Sequence, residues 1–364
     1  MGLNEFGLNS AIFGLGADGK PRGIDLAGHG VTIFFTLSGF LITYLLLKEK
    51  ELQPLNVKNF YLRRLLRIWP LYYLYMALCL ITCYLYGIPY NQSALPFYLF
   101  LAANIPFITE NTIPFLAHFW SLGVEEQFYL FFPQIAKLSN RRLLKIAIGL
   151  IAILLLLKCF FWVLYTKYSF PIPFMALTVT RIHIMLIGVV AALFYYQNNT
   201  FFIRFATRKG IQIVCWLSIF IIAINRFHIA SVIDSELIAG ITVLIIIGQI
   251  TKVNRVVNLE NDIFDFLGKI SYGLYVLHPL VLFYMSKLIG RFSTPSLLNY
   301  ILVYTLTLSV SIGMAYLSYE YYEKWFLRLK ERYAIIKSRN SHQIPTEIEL
   351  PLEAEIDHLS SIKK

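Results

Sequence analysis

Long apolar segments constrain the fold of this chain more than any other feature. We count nine, each near the roughly 20 residues needed to cross about 30 Å of hydrocarbon. Backbone polar groups inside lipid must be hydrogen-bonded within the segment, and a helix achieves this. A further run at 94–108 contains two prolines and predicts a broken or re-entrant piece. We therefore predict an all-α, polytopic transmembrane helical bundle of about nine to ten spans in a lipid bilayer. The nine segments are 28–47, 67–86, 121–137, 144–165, 173–197, 210–225, 233–250, 265–288 and 297–318.

The basic residues predict the orientation of the bundle. Only 15% of the residues are charged, against roughly 25% in a soluble domain. Most of the 32 Lys and Arg fall in the loops 48–67, 137–145, 204–209 and 252–269 and in the tail after Tyr322. The positive-inside rule makes that side cytoplasmic, and the C-terminus with it. The net charge of +11 then follows from topology and requires no nucleic-acid partner.

The same orientation divides the chain into three parts. Residues 1–27 are expected to be an extracytoplasmic segment, 28–328 the membrane domain, and 329–364 a mobile cytoplasmic tail rich in polar residues. No apolar signal in 1–27 would carry that segment across the membrane. Either the first span acts as a reverse anchor, or another span precedes it, which is the alternative we favour. The four cysteines lie in apolar runs without ligand spacing, so no disulfide framework and no metal site are expected.

Residues 118–129 combine ionisable and aromatic side chains between apolar segments. They include His118, Trp120, Ser121 and Glu125. Ionisable groups at membrane depth are functional candidates by default, because a charge there is costly. The plainer interpretation is a helix start, with Ser121 as its cap and the carboxylate near the positive end of the helix dipole. That interpretation leaves His118 unexplained, so we favour a functional site.

Two further candidates lie inside predicted spans. Arg181 in 173–197 needs a partner or a wet cavity, and Glu125 or Glu126 is the expected partner. His278 precedes Pro279, which would kink the helix and free a backbone carbonyl. A buried histidine is more often structural, yet one beside a proline kink in a span is also a candidate base.

Three arginines stand at the cytoplasmic mouth of the second span. Arg63 and Arg67 are four residues apart and share a helical face, with Arg64 beside them. Guanidinium forks bind phosphate in bidentate geometry. The simpler alternative is anchoring to anionic lipid, at about 1 kcal/mol per charge. In the first span, Ser38 and Gly39 are best interpreted as a notch for helix packing.

Taken together, these segments resemble the acyltransferase 3 family of integral-membrane acyltransferases. The order and spacing match from residue 28 to about 328. The matching residues are Gly30-Val31, Phe34-Phe35, Ser38 to Ile42, Arg63-Arg64, Arg67-Ile68, Pro70, Trp120-Ser121-Leu122, Glu125, Gln127-Phe128-Tyr129, Arg181, Gly188, Ser271-Tyr272, Tyr275, His278 and Glu323.

The resemblance implies an activity and a location. Members move an acyl group, often acetyl, from cytoplasmic acyl-CoA to a hydroxyl of an extracytoplasmic polysaccharide or glycolipid, and the implied location is the bacterial inner membrane. His118, Glu125 and His278 would then be catalytic. Arg63, Arg64 and Arg67 would hold the acyl-CoA phosphates, while Arg181, Trp120 and Ser121 would bind substrate or the oxyanion.

One departure and two rival functions remain. The family has a first span with an arginine and a histidine, whereas residues 1–27 hold no apolar helix and no histidine. This favours a chain shortened at its start, which would make it an inactive family member if the lost histidine is essential. The other rival is a transporter or flippase for a lipid-linked glycan, which would also need many spans and broken helices.

Overall fold

The computed structural model describes Phe6, Leu8 and residues 26–224, 227–230, 232–290 and 296–333. Regular structure in this part of the chain is helical, with no strand. Most of the predicted segment 1–27 and the tail from 334 onward lie outside the described residues. The helices are α1 (Leu26–Leu52), α2 (Val57–Leu85), α3 (Leu95–Leu99), α4 (Asn104–Ile108), α5 (Trp120–Ala136), α6 (Asn140–Tyr168), α7 (Pro171–Thr180), α8 (Ile182–Tyr196), α9 (Thr200–Ala206), α10 (Lys209–Ala223), α11 (Asp234–Thr251), α12 (Asp262–Ile289), α13 (Leu297–Ser318) and α14 (Lys324–Glu331).

Seven helical stretches of the described chain are long and apolar enough to cross a membrane. The all-helical membrane bundle predicted from the sequence is thus confirmed, but the count of nine to ten spans is not. The pair α9 and α10 gives an eighth span if the two helices, bent by 58°, are taken together. The seven stretches are His29–Leu52, Val57–Leu85, Asn140–Tyr168, Pro171–Tyr196, Asp234–Thr251, Asp262–Ile289 and Leu297–Glu331.

The predicted span at 121–137 forms the helix α5, which is not among these seven. Its 17 residues extend about 25 Å, several ångströms less than the hydrocarbon core. Both ends of α5 nevertheless lie beside α1: the Trp120 ring meets Phe35 edge-on at 6.0 Å, and the Lys50 ammonium donates to the Ala136 carbonyl at 3.3 Å. The helix therefore runs along α1 inside the bundle.

The short apolar run at 94–108 forms no span but two five-residue helices, α3 and α4. Tyrosine hydroxyls satisfy backbone carbonyls where this segment is irregular. Tyr72 donates to the carbonyl of Tyr98 at 2.8 Å, and Tyr73 donates to that of Leu99 at 2.8 Å. These bonds give hydrogen-bond partners to backbone carbonyls of a broken helical segment, since every polar group at membrane depth requires a partner.

Two glycines set the closest helix contact, between α1 and α8. A Cβ on Gly39 would lie 2.0 Å from the Met185 carbonyl oxygen, and one on Gly188 would lie 2.2 Å from the Thr36 carbonyl oxygen. Only glycine permits this backbone approach, which is how small residues act in membrane helices. The structure confirms the interpretation of Ser38 and Gly39 as a packing notch. It also brings the Ser38 side chain to α5.

Candidate functional site

Two histidines from distant parts of the sequence share one cavity. His118 lies in the short 3-10 turn Ala117–Phe119 before α5, and His278 lies in the middle of α12. Their ring centroids are 5.4 Å apart. Both line a cavity of about 320 Å³, together with Phe115, Pro279 and other apolar residues. We call this the His118–His278 cavity.

Backbone carbonyls orient both imidazoles. The Nε2 atom of His118 lies 3.2 Å from the Val276 carbonyl oxygen, and the Nδ1 atom of His278 lies 2.8 Å from that of Tyr275. Burial first, and then the neighbouring His278 ring, lower the pKa of His118 to about 3. His118 is therefore neutral at neutral pH, as a base or a neutral hydrogen-bond donor must be.

Ser121 and Tyr275 connect the cavity to the start of α5. The Ser121 and Tyr275 hydroxyls are 2.5 Å apart, and Tyr275 also donates to the carbonyl of His118. No side-chain cap bond is present at the start of α5, so Ser121 does not act as the helix cap. Sequence reasoning named Tyr275 only as part of the family pattern. Its role in fixing the His118 turn emerges from the packing of α12.

Glu125 is not placed beside His118. Its buried carboxylate accepts a hydrogen bond from Ser38 at 2.7 Å and another from Tyr129. It thus joins α1 to α5, and the pairing of His118 with Glu125 expected from their spacing is not formed. The carboxyl that would orient the imidazole is replaced by backbone carbonyls of α12.

Arg181 lies where α7 and α8 meet, with a left-handed backbone φ of 43°. Its guanidinium donates to the Thr32 hydroxyl at 2.8 Å and lies 5.9 Å from the centre of the Trp120 ring. No ion pair joins Arg181 to Glu125 or Glu126, so the expected carboxylate partner is wrong in the described structure. Trp120 also stacks on Phe107 at 5.3 Å. Arg181 and Trp120 therefore form a unit outside the His118–His278 cavity.

The three arginines of α2 have three different environments. Arg63 is paired with Glu49 at 2.7 Å and donates to the Tyr333 carbonyl at 2.9 Å. Arg64 lies over the Tyr129 ring at 5.0 Å. Arg67 is exposed, although it interacts electrostatically with Glu125 and Glu323.

One buried ionic cluster was missed by sequence reasoning. Lys158 of α6 and His183 of α8 each contact the same carboxylate oxygen of Glu236 on α11, both at 2.7 Å. We call these residues the Lys158–Glu236–His183 cluster. A signal existed in the sequence, because Lys158 and Glu236 are opposite charges within two predicted apolar segments.

The described residues contain no group of three or more His, Cys, Asp or Glu side chains placed to hold a metal ion. The fold and the cavity define a polytopic membrane protein with a histidine pair in a small, mostly apolar cavity. This class of site is suited to proton transfer at a bound substrate.

Comparison with known proteins identifies the family. The model of the acyltransferase 3 family, an acyltransferase domain, matches residues 9–319. The chain belongs to this family. No solved structure matches the chain significantly.

Two relatives illustrate the similarity. A protein named "Putative O-acetyltransferase" from Staphylococcus aureus (strain COL) is 29% identical over 326 residues, which cover 82% of this chain and 52% of that relative. A protein named "Putative acetyltransferase ORF330" from Acidianus two-tailed virus is 29% identical over 281 residues, covering 72% of this chain and 74% of the viral protein. The chain spans about half the length of the staphylococcal relatives that it matches.

Proposed function

We propose that this protein transfers an acyl group, most simply acetyl, from acyl-CoA to a hydroxyl of an extracytoplasmic polysaccharide or glycolipid. The observation that carries the proposal is the meeting of His118 and His278 in one cavity. Acyl transfer to a hydroxyl needs a base for its proton and donors for the thioester oxyanion. The names of the relatives support acetyl as the group transferred.

His278 is the better placed of the two bases. Its Nδ1 atom is within hydrogen-bonding distance of the Tyr275 carbonyl, so in the neutral ring Nδ1 carries the hydrogen. The Nε2 atom then holds the basic lone pair and accepts the hydroxyl proton. His118, whose Nε2 contacts a carbonyl, instead fixes the wall of the cavity and stays neutral beside the imidazolium that forms.

The donor phosphates are assigned to the end of the bundle where α2 begins. Arg67 is the leading residue because its side chain is exposed and forms no ion pair among the described residues. Arg63 and Arg64 lie beside it, and Lys330 adds a further nearby positive charge. Guanidinium forks match phosphate oxygens, which is why this cluster suits a nucleotide thioester.

Arg181, Trp120 and Ser121 are assigned to the acceptor side. The ring of Trp120 with the guanidinium over it offers an aromatic face and hydrogen-bond donors, a combination that suits a sugar. Glu125 supports this wall through Ser38 and Tyr129. In this assignment Glu125 positions α5 and does not touch the imidazoles.

The test is transfer of labelled acetyl from acetyl-CoA to surface glycan in membrane vesicles. His278→Ala should lower the transfer rate by about 10² to 10⁴, the usual contribution of a positioned base. His228→Ala is the matched control, since His228 lies 67% exposed on a loop and pairs with Asp234. Equal rates for wild type and His278→Ala would refute the assignment of the base. Failure of wild type to consume acetyl-CoA would refute the donor.

A further inference from the structure

A second cavity of about 370 Å³ lies between α2 and α5, and we call it the α2–α5 groove. It shares no lining residue with the His118–His278 cavity. Arg64 and Trp69 contribute from α2, and Glu126 and Leu130 from α5, with Phe100 at one edge. The groove is therefore a separate space, with charged residues in its wall and apolar residues around it.

Glu126 provides an unused acceptor in this groove. Its Oε2 atom accepts a hydrogen bond from the Trp69 indole at 3.3 Å. Its Oε1 atom is buried and has no hydrogen-bond partner among the described residues. A buried carboxylate oxygen without a donor is unfavourable by itself. A ligand that brings an O–H or N–H group would satisfy it.

Arg64 provides the cation. Its guanidinium lies over the rings of Tyr129, at 5.0 Å, and Phe60, at 5.7 Å. No carboxylate lies within ion-pair distance of Arg64 in the described part of the chain. Its donors remain available for an anion next to the Glu126 acceptor.

The rim of the groove faces apolar surroundings. Phe100 is 82% exposed and Leu130 is 55% exposed, and the next residue on α5, Phe131, is 65% exposed. Side chains of this kind on a membrane protein meet lipid tails and not water. An occupant can therefore enter sideways from the bilayer.

The depth of Arg64 in the membrane determines which part of a lipid molecule can reach its guanidinium. Arg64 lies two turns into α2, about 10 Å from its first residue. The 29 residues of α2 extend about 43 Å, longer than the hydrocarbon core of roughly 30 Å. The guanidinium is thus near the level where headgroups meet hydrocarbon at the leaflet where α2 begins.

From these observations we propose that the α2–α5 groove binds a phospholipid from that leaflet. The lipid phosphate contacts Arg64, a headgroup O–H or N–H donates to Glu126 Oε1, and an acyl chain lies along Phe100 and Leu130. This inference goes beyond the proposed acyl transfer. It uses Arg64, which also belongs to the proposed donor cluster, so acyl-CoA is included in the test as a competitor.

The test is native mass spectrometry of the purified protein with defined lipids. Phosphatidylglycerol and phosphatidylethanolamine should be retained about tenfold better than phosphatidylcholine, which lacks the donor, or diacylglycerol, which lacks the phosphate. Leu130→Trp, which fills the mouth, should remove this selectivity. Phe131→Trp is the matched control, as the neighbouring residue does not line the groove.

Three outcomes would overturn the proposal. The first is equal retention of all four lipids, and the second is unchanged selectivity in Leu130→Trp. Should Leu130→Trp fail to fold, Arg64→Gln takes its place and must abolish the preference for phosphate over diacylglycerol. The third outcome is displacement of the bound lipid by acyl-CoA, which would assign the groove to the acyl donor.

Discussion

Two clusters of ionisable side chains lie inside this bundle, and they differ in what surrounds them. The Lys158–Glu236–His183 cluster is closed: Lys158 and His183 are each 1% exposed, and their nitrogens share one carboxylate oxygen. The His118–His278 cavity is open, contains no carboxylate, and orients its imidazoles by backbone carbonyls.

The difference supports a structural role for the closed cluster and agrees with the proposed chemistry of the open cavity. In the closed cluster the charges of Lys158 and Glu236 cancel, and the ion pair joins α6 to α11 where lipid would otherwise make each charge costly. In the open cavity the imidazoles border empty volume, so a substrate atom can reach them. Burial of ionisable groups alone therefore does not distinguish the two clusters; access and an unused lone pair do.

The largest expected effect is on the closed cluster. Glu236→Ala should lower the free energy of unfolding by about 3–5 kcal/mol, because it leaves a buried ammonium without its partner. Thermal unfolding in detergent measures this. Glu260→Ala is the control, since Glu260 is 47% exposed and its pairs with Lys252 and Arg255 should contribute less than about 1 kcal/mol. Unfolding of Glu236→Ala at the wild-type temperature would contradict the structural role.

A smaller effect is expected at low pH from the open cavity. The folded-state pKa of His118, about 3, is below the ordinary value near 6.5 for the unfolded chain. At higher pH both states are neutral and His118 contributes nothing. Between about pH 6.5 and pH 3 the unfolded state binds a proton that the folded state does not, so stability falls by roughly 1 kcal/mol per pH unit.

His118→Asn isolates this contribution. Unfolding midpoints recorded between about pH 7 and pH 5 should show the wild type losing stability relative to the variant as the pH falls, because only the wild type carries the imidazole that the unfolded state protonates. A constant difference over that range would mean that His118 is protonated in the folded protein. The neutral cavity would then be disproved.

The smallest effect is expected when both partners of the Lys158–Glu236 ion pair in the closed cluster are replaced by apolar residues. Lys158→Met with Glu236→Leu should change stability by less than about 2 kcal/mol, since well-packed apolar residues often substitute for a buried ion pair without loss. Acetyl transfer by this double variant should stay close to wild type. A loss of transfer in a stably folded double variant would show that the closed cluster contributes to activity.

Apolar segments predicted the fold well because the bilayer imposes one rule on every segment. Lipid cannot satisfy a backbone amide, so an apolar run of sufficient length becomes a helix whatever its neighbours are. The prediction of spans was weakest for segments whose structure depends on packing against other helices as well as on apolar length. Segment 121–137 is a short helix inside the bundle, and 94–108 is a pair of small helices held by tyrosine hydroxyls.

The sequence predicted which residues are candidates for the site better than it predicted the contacts of those residues. His118 and His278 were both named from the sequence, yet their proximity required α12 to pack on the turn before α5. The carboxylate partners were assigned by nearness in sequence or by charge, and those partners were wrong. Ser38 binds Glu125 and Thr32 binds Arg181, because these residues of α1 face the neighbouring helices.

The sequence alone determined that this chain forms a helical membrane bundle, and it identified the residues whose charges need an explanation at that depth. These properties follow from hydropathy and charge, which each segment carries independently of the others. Only the tertiary structure decided which charges are neutralised and which remain available. That outcome depends on contacts of a few ångströms between helices far apart in sequence, as where Glu236 receives both Lys158 and His183 while His278 faces an open cavity.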